Sequence, residues 1–123
     1  MKENVLKVKS FDFAIRCVKC YQYLQHHKNE YVLSKQLLRS GTSIGANIRE
    51  AEHAESKADF VHKISVALKE VNETAYWLEL LQASDLLDSE QYDSIYTDCI
   101  ELLKLLTSVV KTSKSNGIRN TNG

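Results

Sequence analysis

The stretch SKADFVHKISVALKEVNETAYWLELLQA, residues 56–83, decides the fold. Its apolar residues Phe60, Ile64, Ala67, Leu68, Val71, Ala75, Leu78 and Leu81 recur three and four apart, which gathers them on one face of an α-helix. Ser56 offers a side-chain oxygen as N-cap, and Asp59 sits in the first turn, where the helix dipole favours a carboxylate.

The flanking sequence supplies three more amphipathic segments. Upstream, a helix starting near Tyr31 carries Leu33, Leu37, Gly41, Ile44, Ile48 and Ala51, a step close to 3.5 that suits left-handed bundle packing. Before it, Ser10 is expected to cap a first helix that runs to about His26 and buries Phe11, Ala14, Ile15, Val18, Tyr21 and Leu24. Downstream, Ser84–Asp88 reads as a turn whose Leu86 and Leu87 can close the end of the core, and Asp88 or Ser89 caps a fourth helix. The fourth stripe is Tyr92, Ile95, Cys99, Leu102, Leu103, Leu106 and Val110. Short turns force neighbouring helices to run antiparallel. The expected fold is all-α, an antiparallel up-down-up-down four-helix bundle over residues 10–112, with a polar N-terminal arm at 1–9 and a flexible tail at 113–123.

Composition agrees with one helical domain. The 123 residues contain no proline and four glycines, as few as long uninterrupted helices require. No apolar run approaches the roughly 20 residues that span a bilayer, so no membrane partner is expected. The odd set Cys17, Cys20 and Cys99, with no recognisable signal peptide, points to reduced thiols in the cytoplasm. Cys17 and Cys20 form a C-x-x-C, but inside a helical pattern and without a second pair to complete a zinc site.

Catalytic constellations are sparse. Glu50-x-x-His53 and Asp59-x-x-His62 have the spacing of bundle metal ligands, yet both flank one turn at the bundle end, whereas a di-iron site needs them on two helices at mid-height. A metal-dependent enzyme using Glu50, His53 and His62 is the alternative to a binding module; otherwise no cofactor and no catalysis are expected. A regulatory module that docks a protein without nucleic acid is a further alternative.

Polar residues near the apolar stripes stand out more. Ser43, Asn47, Glu50 and Glu73 would each cost on the order of 1–3 kcal/mol if buried unpaired, so partners such as Arg39 or Arg49 across a helix or subunit contact are expected. Gly41 and Gly45 form a G-x-x-x-G, the mark of a close helix crossing within the bundle or between subunits. Of the adjacent Tyr76 and Trp77 only one can face the core, and Trp77 is taken as the interface anchor.

Net charge is zero, with 16 basic and 16 acidic residues, so only their placement can speak for a nucleic-acid partner. One expected pole gathers Lys2, Lys7, Lys9, Arg49, Lys57, Lys63, Lys111, Lys114 and Arg119 against Glu3, Asp12, Glu50, Glu52, Glu55 and Asp59. All but Arg49 of that basic set are the candidate nucleic-acid contacts. The opposite pole holds Glu79, Asp85, Asp88, Glu90 and Asp93.

Residues 37–81, LLRSGTSIGANIREAEHAESKADFVHKISVALKEVNETAYWLELL, resemble the bacterial four-helix-bundle family of 23S ribosomal RNA intervening-sequence proteins. The family pattern falls on Arg39, Ser40, Ser43, Ile44, Asn47, Ile48 and Glu50, then on Phe60, Ala67, Glu73, Trp77 and Leu78; one departure is Ala51-Glu52, where many relatives have a glycine after the glutamate. The resemblance implies a ring-like homo-oligomer, typically a pentamer. It also implies a link to ribosomal RNA genes and, through a branch that assists the reverse transcriptase of diversity-generating retroelements, to nucleic acid or a nucleic-acid-processing protein. A ribosome-associated label in this family reflects gene location. The expected function is a nonenzymatic helical scaffold that binds itself and structured RNA.

Overall fold

A computed structural model describes the backbone of residues 2–122 and the side chains of residues 5–115. Four helices follow in order: α1 (Lys2–Lys28), α2 (Leu33–Glu52), α3 (Lys57–Ala83) and α4 (Ser89–Asn122). Each packs on two neighbours, α1 on α2, α2 on α3, α3 on α4 and α4 back on α1, which closes the up-down-up-down bundle.

The turns follow from their residues. Asn29, at φ 52°, reverses the chain after α1, and the Glu30 N–H donates to the Leu24 carbonyl at 3.0 Å. The Glu30 carboxylate then accepts the N–H groups of Val32 (3.2 Å), Leu33 (3.0 Å) and Ser34 (2.7 Å), capping α2 from outside the usual cap position. Burial alone would raise its pKa, but these bonds outweigh that and hold it below the ordinary carboxylate value. Ser56 caps α3 as expected, accepting from the Asp59 N–H at 3.0 Å. At the last turn Asp85 takes φ 62°, Leu87 is buried against the core, and Asp88 and Gln91 exchange side-chain-to-backbone bonds of 2.8 and 3.0 Å that start α4.

The stripes of α2, α3 and α4 lie where their periodicity puts them: Leu37, Ile44, Ile48, Ile64, Val71, Leu78, Leu81, Ile95, Leu102 and Leu106 are all buried. Helix α1 corrects the sequence expectation twice. It begins at Lys2, so residues 2–9 are helix and not an arm, and Leu6 is buried. Ser10 therefore lies mid-helix and buried, its hydroxyl donating to the Lys7 carbonyl at 3.2 Å instead of capping. The inward face is Leu6, Ser10, Phe13, Cys17 and Leu24, whereas Phe11 (52% exposed), Ile15 (41%) and Val18 (36%) point outward. At the other terminus α4 continues as helix to Asn122, past Ser113 where a tail was expected.

The choice of α1's inner face follows from the glycines of α2. A Cβ on Gly41 would lie 2.9 Å from the Cys17 Cβ and closer still to its sulfur, and one on Gly45 would lie 3.4 Å from the Ser10 hydroxyl. The G-x-x-x-G is thus a crossing within the bundle, with small α1 side chains seated over two glycines. Beside it the Thr74 hydroxyl donates to Ser40 Oγ at 2.8 Å, a buried polar pair joining α2 to α3.

Candidate functional site

The polar residues singled out in the sequence gather along the α2–α3 face. The Arg39 guanidinium pairs with Glu73 and reaches Glu70 at 3.4 Å, and Glu73 also accepts from the Trp77 indole N–H at 3.2 Å. Ser43 donates to the Arg39 carbonyl at 2.6 Å, Asn47 to the Ser43 carbonyl at 2.9 Å, and Glu50 lies 3.9 Å from Lys63. Arg39 is half exposed, so this network is a solvated seam worth little by itself. The two aromatics exchange their expected places. Trp77 packs partly buried against the core, and Tyr76, 57% exposed, is the outward one, with its ring edge-on to Trp77 at 5.0 Å.

A second surface lies on α1. Val8, Phe11, Ile15 and Val18 are all exposed, and their spacing of three, four and three places them in one row. The Arg49 guanidinium of α2 stands 5.3 Å over the Phe11 ring, so the row borders the α1–α2 groove. Sequence periodicity had assigned Phe11, Ile15 and Val18 of this row to the core and left Val8 in the N-terminal arm. What reveals it as a second face is the count of apolar residues on α1, more than one stripe can hold.

The candidate nucleic-acid lysines divide into two groups. Lys7 pairs with Glu52 at 3.4 Å, Lys9 with Glu101 at 3.0 Å and Lys63 with Glu50, which leaves these cations neutralised. Lys57, Lys111 and Lys114 are exposed and have no acidic partner among the described residues. The side chains of Lys2 and Arg119 lie outside the described residues. Lys104, exposed on α4 and passed over in the sequence because it sits within an apolar stretch, joins the unpaired set.

The three cysteines lie in or against the core. Burial pushes the Cys20 thiol up to about 11 and that of Cys99 to about 12, and Cys17, the most enclosed, higher still; all three stay protonated and poorly nucleophilic. Among the described residues no three His, Cys, Asp or Glu side chains gather so as to hold a metal ion, and Glu50, His53 and His62 do not converge. Nor is any described helix long and apolar enough to cross a membrane.

Comparison with known proteins places the bundle. No curated protein matches the chain. A crystal structure of a protein with unknown function from the S23 ribosomal protein family, from Bacteroides thetaiotaomicron VPI-5482, superposes with a TM-score of 0.89 at 58% identity, covering 90% of this chain and 99% of that one. The profile described as 23S rRNA-intervening sequence protein matches residues 2–108, which take in α1, α2, α3 and α4 as far as Ser108. With its bundle, its α2–α3 motif and that match, the chain belongs to the family of 23S rRNA-intervening sequence proteins.

Proposed function

We propose that the protein is a nonenzymatic, cytoplasmic scaffold that assembles into a homo-oligomeric ring, pentameric as the family resemblance implies, and binds structured RNA. The observation that carries the assembly is the exposed row Val8, Phe11, Ile15 and Val18. Covering a half-exposed aliphatic or aromatic side chain contributes about 1 kcal/mol, so four together favour a contact beyond those that the described residues make. A ring needs a second, different surface on each protomer. The α2–α3 face, with Arg39, Ser43, Asn47, Glu50, Glu73 and Trp77 and the exposed Tyr76 beside them, is our candidate.

Light scattering at micromolar concentration tests the assembly. The wild type is expected to be oligomeric and the double variant Phe11→Ser, Ile15→Ser to be monomeric with unchanged far-ultraviolet circular dichroism. A strictly monomeric wild type removes this half of the proposal. RNA binding is tested separately by titrating a structured RNA at two salt concentrations, where absent or salt-independent binding removes the other half.

A further inference from the structure

Helix α4 is divided by charge. Between Ser89 and Glu101 it carries Glu90, Asp93, Asp98 and Glu101 and no base; from Leu102 to the last residue it carries Lys104, Lys111, Lys114 and Arg119 and no acid. Acids early and bases late suit the helix dipole, but that field fades within the terminal turn. Lys104 and Lys111 stand several turns before Asn122, so the dipole does not account for them. Nor does pairing, since Lys104, Lys111 and Lys114 are exposed without an acidic partner among the described residues, in contrast to Lys7 and Lys9 on α1. Lys104 and Lys111 share an open strip of the α4 surface with Leu103, Thr107, Ser108 and Thr112, and no carboxylate lines it.

We infer that the outer surface of α4 from Lys104 to Lys114 is where the protein grips RNA, through the phosphate backbone of a double-helical segment. This rests on the RNA half of the function proposed above and assigns its contact surface. At 1.5 Å per residue the three lysines spread over about 15 Å, so they meet separate phosphates and not one. The Thr107 hydroxyl already donates to the Leu103 carbonyl at 2.7 Å, so it is not available to donate to a phosphate. Single-strand binders present aromatic rings for bases to stack on, and the chain has no aromatic residue after Tyr96. A cationic row without aromatics reads backbone charge and shape, and not sequence.

The test is fluorescence anisotropy of the full chain with a labelled 20-base-pair RNA duplex across a salt series. Each of Lys104→Gln, Lys111→Gln and Lys114→Gln is expected to flatten the slope of log K against log salt by about 1, equally for two unrelated duplex sequences. The paired change Lys28→Gln, Lys35→Gln, exposed lysines at the far pole, is expected to leave the slope unaltered. If the wild type binds the duplex and the α4 variants match it, this assignment is wrong while RNA binding stands. If the wild type binds a structured RNA but not the duplex, only this assignment falls; if it binds neither, both fall. Tighter binding of single-stranded RNA, of a polyglutamate peptide or of phosphatidylserine vesicles than of the duplex also overturns it. Circular dichroism and light scattering on each variant exclude loss of fold or assembly as the cause.

Discussion

Helix α1 has two apolar faces, and only one of them is buried. Its buried row includes Ser10 and Cys17, whereas its exposed row is Val8, Phe11, Ile15 and Val18. Period alone does not choose between the two rows. Shape makes the choice: Ser10 and Cys17 are small enough to lie over Gly45 and Gly41, and the aromatic and branched residues of the outer row are not. Tight packing at one crossing thus outweighs the area left in water on the other side. The bulk left outside is then free for a contact with another molecule.

The sharpest way to break this contrast is to truncate one aromatic on each face. Phe13→Ala removes a fully buried ring and is expected to cost about 3–5 kcal/mol in urea unfolding. Phe11→Ala is expected to cost under about 1 kcal/mol in the dissociated protomer, since its ring is already half in water. A larger loss at Phe11 than at Phe13 would mean that α1 is turned the other way.

Next in size is the crossing itself. Gly41→Ala forces the chains apart at Cys17 and is expected to destabilise by about 1–3 kcal/mol despite alanine's better helix propensity. Adding Cys17→Ala removes the nearer obstacle, so the double variant should lose less than the sum of the two singles, a coupling readable from a double-mutant cycle.

The turn that leads α1 into α2 gives a smaller effect with a pH signature. Glu30→Ala is expected to cost about 1 kcal/mol at neutral pH through loss of the cap. The folded pKa of Glu30 lies below its unfolded value, so its contribution is present above the unfolded pKa and is lost as pH falls through the folded one. Stability curves of wild type and Glu30→Gln should therefore converge in acid, and a constant gap would remove the carboxylate from the cap. Smallest is Gly45→Ala. Its Cβ would meet Ser10 at ordinary contact distances of 3.4–3.7 Å, so the thermal midpoint is expected to stay or to rise by the equivalent of up to about 1 kcal/mol.

Legibility in the sequence followed the number of apolar faces. Helices α2, α3 and α4 each have one, so period, caps and turn positions placed Ile44, Val71 and Leu102 in the core without ambiguity. Two interleaved rows on α1 satisfy the same period, and only the partner surface, with its glycines, selects between them. The Glu30 cap was hidden because it acts from two residues before Val32. At the candidate site, the link from Arg39 to Glu73 was readable as an unpaired polar group in need of a partner. The order of Tyr76 and Trp77 was not, because adjacent positions differ by about 100° and either can lie at the edge of the stripe.

Three of the four helix seams join segments adjacent in sequence; the fourth, α1 against α4, joins the two ends of the chain. That seam is lined by charge, with Arg16 on Asp98 at 2.7 Å and on the Ser94 hydroxyl at 2.6 Å, and Lys9 on Glu101. Its loop is the longest the fold must close, and exposed ion pairs give little early reward for closing it. The bundle is accordingly expected to zip from its hairpins and to shut at α1–α4 last. The same seam is expected to open first under stress, which hydrogen exchange would read as faster exchange in α1 and α4 than between α2 and α3.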